Sequence, residues 1–219
     1  MKEPYFRQKS IHKKSLEMLD RIKTSRQKRN PTFTPEQSAL LVLDMQKYFL
    51  KDFSHAYIPS GPAIIPGIKR LIKSYSAKEL PVIFTRHVNS IEDAGIMNRW
   101  WKDLIKENNP LSRITEELDL SRGTVIEKSQ YDAFYKTQLE EILKKENVRQ
   151  VVICGVMTHL CCETTARSAF VRGFEVFFTI NGTATYNENF HMATLLNLSH
   201  GFAIPLLVEE LLSFLKDES

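Results

Sequence analysis

The sequence predicts an α/β fold built on a parallel sheet, and three observations support this. Short, continuous apolar runs of the kind that make buried strands recur at intervals of roughly 25–40 residues. The stretches between them carry helical periodicity. The 219 residues, 42% hydrophobic and 26% charged, have the composition of a folded chain that buries a core of its own. Strand–helix alternation implies right-handed βαβ crossovers with helices on both faces of the sheet, a three-layer, Rossmann-like arrangement.

Residues 2–30 read as a helical arm, with Ile11, Leu16, Leu19 and Ile22 near helical spacing among charges. Pro31 and Pro35 mark a linker. This divides the chain into a basic arm over 1–35 and a main domain over 36–219. Strands are expected at 39–43, 81–84, 124–126, 150–154, 174–180 and 203–206. Helices are expected at 62–79, 137–145, 158–172, 188–200 and 208–215. Gly155, Gly173 and Gly201 read as stops. Residues 93–105, rich in aromatic and charged side chains, give no clear period.

Charge is concentrated at the start. The first thirty residues hold ten Lys or Arg against three Asp or Glu, and the remainder holds twenty against 23. The arm is read either as a helix packing on the body or a neighbouring subunit, or as a contact for an anionic partner. The absence of interleaved aromatics makes a nucleic acid the poorer fit. Glu3, Glu17 and Asp20 argue against a mitochondrial leader. The three cysteines, Cys154, Cys161 and Cys162, are too few and too close for a disulfide framework. With no spanning apolar run and no visible signal peptide, a cytoplasmic setting is expected.

Sites in parallel sheets form beyond the carboxyl ends of the strands. Those positions hold Asp44 after the first strand, then Thr85, Arg86 and His87, then Glu127 and Lys128, and after the fourth strand the run from Gly155 to Cys162. An acid, an amine and a thiol at neighbouring strand ends suit nucleophilic catalysis. Cys161 falls in the first turn of a helix, whose N-terminus favours a thiolate, as would a nearby Lys128 ammonium. Asp44 would take the thiol proton and pass it to a leaving group. Backbone N–H groups at that helix start would hold a tetrahedral oxyanion. Glycine-rich phosphate loops, G-x-S-x-G and H-E-x-x-H are all missing. Cys154, His159, Cys161 and Cys162 form a weak zinc candidate, because adjacent cysteines diverge by about 100° on a helix.

Three blocks now stand out in order: Ala39-Leu-Leu-Val-Leu-Asp-Met-Gln46, Val125-Ile-Glu-Lys-Ser-Gln-Tyr-Asp-Ala-Phe134, and Val152-Ile-Cys-Gly-Val-Met-Thr-His-Leu-Cys-Cys-Glu-Thr-Thr-Ala-Arg-Ser-Ala-Phe170. Over about residues 36–215 the chain resembles the isochorismatase-like cysteine hydrolases, a superfamily that includes isochorismatases, nicotinamidases and N-carbamoylsarcosine amidohydrolases. The resemblance implies a six-stranded parallel sheet of order 3-2-1-4-5-6. It also implies a catalytic trio of Asp44, Lys128 and Cys161, a cis peptide between Val156 and Met157, and an oxyanion hole formed by the N–H groups of Met157 and Cys161. Dimers or tetramers are common in that superfamily, so a homo-oligomer is expected, with no membrane partner.

The resemblance also has gaps. Nicotinamidases carry an Asp-x-His metal motif near the second strand, where this chain reads Thr85-Arg86-His87-Val88-Asn89. Nicotinamide is therefore a poor expectation, and no metal or other cofactor is expected. Cysteine at 161 favours an amide, carbamoyl or related C–N substrate cleaved through a thioester. Vinyl-ether hydrolysis with Asp44 as general acid is the alternative, and a non-catalytic binding scaffold is a third reading. Arg86 and His87 are candidates for a substrate carboxylate, or simply loop residues. Phe49, Trp100, Trp101 and Tyr131 are candidates for pocket walls or for core packing. His159 is a further substrate-binding candidate.

Overall fold

The computed structural model describes residues 1–27, 32–101 and 103–216. Residues 28–30 of the expected arm, Pro31 of the expected linker and Lys102 in the 93–105 stretch lie outside the described residues.

The chain folds into one six-stranded sheet of order β3-β2-β1-β4-β5-β6, with every pairing parallel. The strands are β1 (Ser38–Leu43), β2 (Val82–His87), β3 (Thr124–Lys128), β4 (Gln150–Val156), β5 (Glu175–Ala184) and β6 (Ile204–Leu206). The helices are α1 (Ile11–Gln27), α2 (Lys47–Leu50), α3 (Gly61–Ala77), α4 (Met97–Trp100), α5 (Leu139–Lys145), α6 (Glu163–Val171), α7 (Glu188–Gly201) and α8 (Val208–Phe214). The two central strands, β1 and β4, are buried at every residue. Successive side chains point to opposite faces, so both faces must be covered, and the runs Ala39–Leu43 and Val151–Cys154 are apolar throughout for that reason. Helix α3 places Ile64, Ile65, Ile68, Leu71 and Ile72 in the core. It packs on β1, β4, β5 and α8, while α6 packs on α7 and β5.

Four strands run further than their apolar cores suggest. β2 continues through Thr85, Arg86 and His87, β3 through Lys128, β4 through Gly155, and β5 through Asn181 and Gly182. The polar residues just past the expected strand ends are themselves strand residues. Gly155 does not end β4. Its φ of +112° marks a register shift against β5, and a Cβ there would stand 2.1 Å from the Leu43 carbonyl oxygen. Asn181 accepts from the Val208 N–H and donates to Glu209, so a residue inside β5 caps α8. The helix expected over 158–172 begins instead with a π-type turn, Thr158–Cys162, before α6.

The basic N-terminal segment packs on the body. Helix α1 lies against α7, β5 and β6, with Met18 and Ile22 fully buried. Leu16, expected on the apolar face, is exposed; Ser15 takes the buried position and bonds back to the His12 carbonyl. The arm's charges meet acids of the same chain: Lys14 and Arg21 reach Glu188, and Arg26 reaches Glu210 at 2.5 Å. Among the described residues no helix is long and apolar enough to cross a membrane, and all three cysteines are free thiols.

Candidate active site

The carboxyl ends of β1, β3 and β4 bring Asp44, Lys128 and Cys161 together. Asp44 follows β1 with a left-handed backbone, φ +51°, a conformation that Asp adopts more readily than most residues. Its Oδ1 accepts from Thr85 Oγ1 at 2.6 Å, and its backbone N–H donates to that same oxygen at 3.0 Å. Its Oδ2 lies 2.8 Å from Lys128 Nζ, and neither side chain is exposed. The ammonium also donates to the Gln130 carbonyl at 2.9 Å and to Cys161 Sγ at 3.4 Å. Its remaining neighbour is His87 Nδ1 at 3.2 Å.

Asn89 Oδ1, 2.8 Å from His87 Nε2, can only accept, so Nε2 carries the ring proton and the unprotonated Nδ1 faces the ammonium. Asn89 is oriented by donating to the Ser129 carbonyl. Burial and the adjacent Lys128 charge push His87 down to about 4, so it is neutral near pH 7. Gln46 closes the set. It accepts from the His87 N–H and donates to the His87 and Ser112 carbonyls, pinning the end of β1 to that of β2.

The electrostatics follow from this geometry. Burial alone would push Asp44 up, but the Lys128 ammonium, His87 and a hydrogen bond from Cys161 together outweigh it and hold the carboxyl below its ordinary value. Burial alone would lower Lys128, yet Asp44 and Cys161 hold it above its ordinary value. Burial pushes the Cys161 thiol up to about 12; Lys128 opposes this and the Asp44 charge adds to it. The resting sulfur is therefore a thiol beside an Asp–Lys ion pair. The thiolate expected at this helix start is corrected, because desolvation together with the neighbouring Asp44 carboxylate outweighs the Lys128 ammonium. Moving the thiol proton to Asp44 leaves the net charge of this dry site at zero.

The cluster also answers the question of a metal. Asp44, His87 and Cys161 offer ligand atoms within 4.8 Å of one another. The Lys128 ammonium already sits among all three, 2.8–3.4 Å from each. A side chain thus fills the place of a cation, and these residues do not fit a metal ion. The other candidate set is dispersed, with the Cys154 thiol directed at the Leu41 carbonyl and His159 at Thr185.

Cys161 opens onto a cavity of about 180 Å³. That is small beside the roughly 300–1,000 Å³ of pockets for drug-sized ligands. Phe49, His87, Tyr131, Met157 and Cys161, all expected at the site, line it, and the Val156–Met157 peptide is cis. Three expected binding residues do not line it. Arg86 alternates away from His87 along β2 and is held by Glu107, Glu127 and Ser112. Trp100 is 74% exposed on α4, and its neighbour Trp101 is the wall residue, donating to the Tyr131 hydroxyl. His159 turns outward, stacked on Phe190 and bonded to Thr185. The reading of the sequence did not single out Tyr48, His55, Asn89, Asp103 or Tyr186 as wall residues. His55 bonds Tyr48 through Nε2 at 3.2 Å and faces Asp103 at 3.5 Å, forming a polar rim. Among the described residues no Lys or Arg lines the cavity.

Comparison with known proteins agrees with this architecture. The family model for the isochorismatase domain matches residues 38–210. Nicotinamidase 3 of Arabidopsis thaliana is 42% identical over 171 residues, which is 76% of this chain and 82% of that protein. Enterobactin synthase component B of Escherichia coli (strain K12) is 30% identical over 186 residues, 82% of this chain and 64% of that protein, so the chain spans just under two thirds of that relative. A cysteine hydrolase from Pseudomonas syringae pv. phaseolicola 1448A has the same fold, with a TM-score of 0.81 at 24% identity over 85% of this chain and 95% of that one.

Proposed function

The chain belongs to the isochorismatase-domain family of hydrolases, and on that premise we propose that it cleaves a small, uncharged amide or carbamoyl C–N bond through a thioester on Cys161. The observation that carries this reading is the Lys128 ammonium held within reach of both the Asp44 carboxylate and the Cys161 sulfur.

In the proposed reaction the Cys161 sulfur attacks the substrate carbonyl carbon while its proton passes to Asp44. The oxyanion that forms is received by the N–H groups of Met157 and Cys161, both on the cavity wall. Asp44 returns the proton to the leaving nitrogen, the C–N bond breaks, and a thioester remains. Water then attacks the thioester, giving a proton to Asp44. The second tetrahedral species expels the sulfur, which regains the proton as a thiol. Lys128 stays charged throughout, offsetting whichever of Asp44 and Cys161 carries the negative charge.

The small cavity, with Tyr48, Phe49, Trp101, Tyr131 and Tyr186 in its wall and no described cation there, favours a neutral planar substrate over a dianion such as isochorismate. The likeness to a protein named nicotinamidase places a pyridine carboxamide among the compounds to try, despite the missing Asp-x-His motif. The test is a panel of amides and carbamoyl compounds assayed for ammonia, alongside isochorismate assayed for pyruvate. Amide turnover that falls at least about a thousandfold in Cys161→Ala is the expected result. Pyruvate release that survives Cys161→Ala would replace this reading with vinyl-ether hydrolysis.

A further inference from the structure

The first six residues are bound to the site from outside. The Glu3 N–H donates to the Tyr186 carbonyl at 2.8 Å, and the Glu188 N–H donates to the Glu3 carboxylate at 2.8 Å. The buried ring of Phe6 holds the segment down while its N–H donates to Ser60 Oγ. The Tyr5 hydroxyl accepts from the Thr185 N–H at 2.9 Å and is hydrogen-bonded to His191 Nδ1 at 2.8 Å. His191 Nδ1 also lies 3.3 Å from the hydroxyl of Thr158, which follows Met157 directly. Lys2 crosses the gap at the outer end. Its ammonium donates to the His55 carbonyl and stands 4.6 Å from the centre of the Tyr186 ring. His55 and Tyr186 come from loops 131 positions apart in the chain, and both are cavity walls.

We infer that Lys2 is a positioning residue for substrate binding: it ties the His55 loop to the Tyr186 loop and so sets the width of the cavity over Cys161. A charge-assisted hydrogen bond on one wall and a cation–π contact on the other give a single side chain a hold on both. The function of the basic segment is then local: α1 anchors it through Glu188 and Glu210, and its leading residues shape the site. This inference rests on the cavity being the substrate site but not on amide chemistry.

The test uses the full chain as Lys2→Ala, Lys2→Arg and, as a charge control, Lys9→Ala at an exposed arm position. Two readouts are taken: the rate at which iodoacetamide alkylates Cys161, followed by peptide mass, and KM against kcat on the amide found by the panel. Lys2→Ala is expected to speed alkylation and raise KM by about fivefold each, with kcat held within about twofold and the melting temperature little changed. Lys2→Arg should restore the parent values and Lys9→Ala should match them. Alkylation at the parent rate in Lys2→Ala, or an equal effect from Lys9→Ala, would overturn the inference. If no amide is turned over, the amidase reading falls and the alkylation ratio alone decides this one.

Discussion

The floor and the rim of the cavity are built on opposite principles. On the floor, Asp44, Lys128 and His87 are buried, each locked by two or more partners gathered at the carboxyl ends of β1, β2 and β3. At the rim, His55 and Asp103 are half-exposed loop residues facing one another at 3.5 Å. A dry, over-determined floor suits a proton transfer that keeps the net charge constant. A wet rim of separate loops suits the selection of what enters. The chemistry is therefore expected to be fragile to change at the floor, and the specificity adjustable at the rim.

The sharpest way to break that contrast is Lys128→Met. It leaves the Asp44 carboxylate buried without its cation, which costs about 3–5 kcal/mol when one partner of a buried pair is removed. The sign with pH follows. In the parent chain Asp44 is held below its unfolded value, so its stabilisation is present at neutral pH and lost on acidification. In the variant Asp44 is pushed above its unfolded value, so stability falls as pH rises. The gap between the two in chemical denaturation should widen from pH 4 to pH 7, and a constant gap would show that the pair does not control the floor.

Thr85→Val is a smaller cut at the same place. It removes the hydroxyl that donates to Asp44 Oδ1, an interaction with a charged group worth about 1.5–3 kcal/mol. Losing a donor to the charged form raises the Asp44 pKa. The acid limb of kcat/KM should therefore move to higher pH with the protein still folded. An unmoved limb would mean that another group sets it.

At the rim, His55→Ala should act least. It removes the bond to Tyr48 and the contact with Asp103, both partly in solvent, so KM should change by about threefold with kcat kept. A shift of the acid limb as large as that of Thr85→Val would erase the distinction between floor and rim.

The same division explains what the sequence revealed. Six apolar runs were legible because buried parallel strands cannot be polar in their middle turns, as β1 and β4 show. Asp44, Lys128 and Cys161 were legible because a parallel sheet gathers its strand ends. Arg86 and His87 were not told apart, because ending β2 at Phe84 discarded the two-residue period that places Thr85 and His87 on the site side and Arg86 away from it. Trp100 and Trp101 gave no period to separate them, since α4 is a single turn inside an irregular stretch. His159 lies in the run that carries Cys161, but the π-type turn aims it at Thr185. His55, Asp103 and Tyr186 come from distant loops, and nothing local to any of them signals that they meet. The state of the Cys161 sulfur is hidden for a related reason: a helix start is visible in a sequence, whereas the depth of burial that raises the thiol is not.

The central claim is that the Cys161 sulfur becomes covalently acylated once Asp44 has taken its proton. The direct measurement is the intact mass of the protein quenched in acid during amide turnover, with the modified peptide then mapped. A mass increase equal to the acyl group, confined to the peptide bearing Cys161 and discharged by hydroxylamine, is the predicted result. Full turnover with the protein mass unchanged at every quench time, including under conditions where deacylation is slowed, would contradict it.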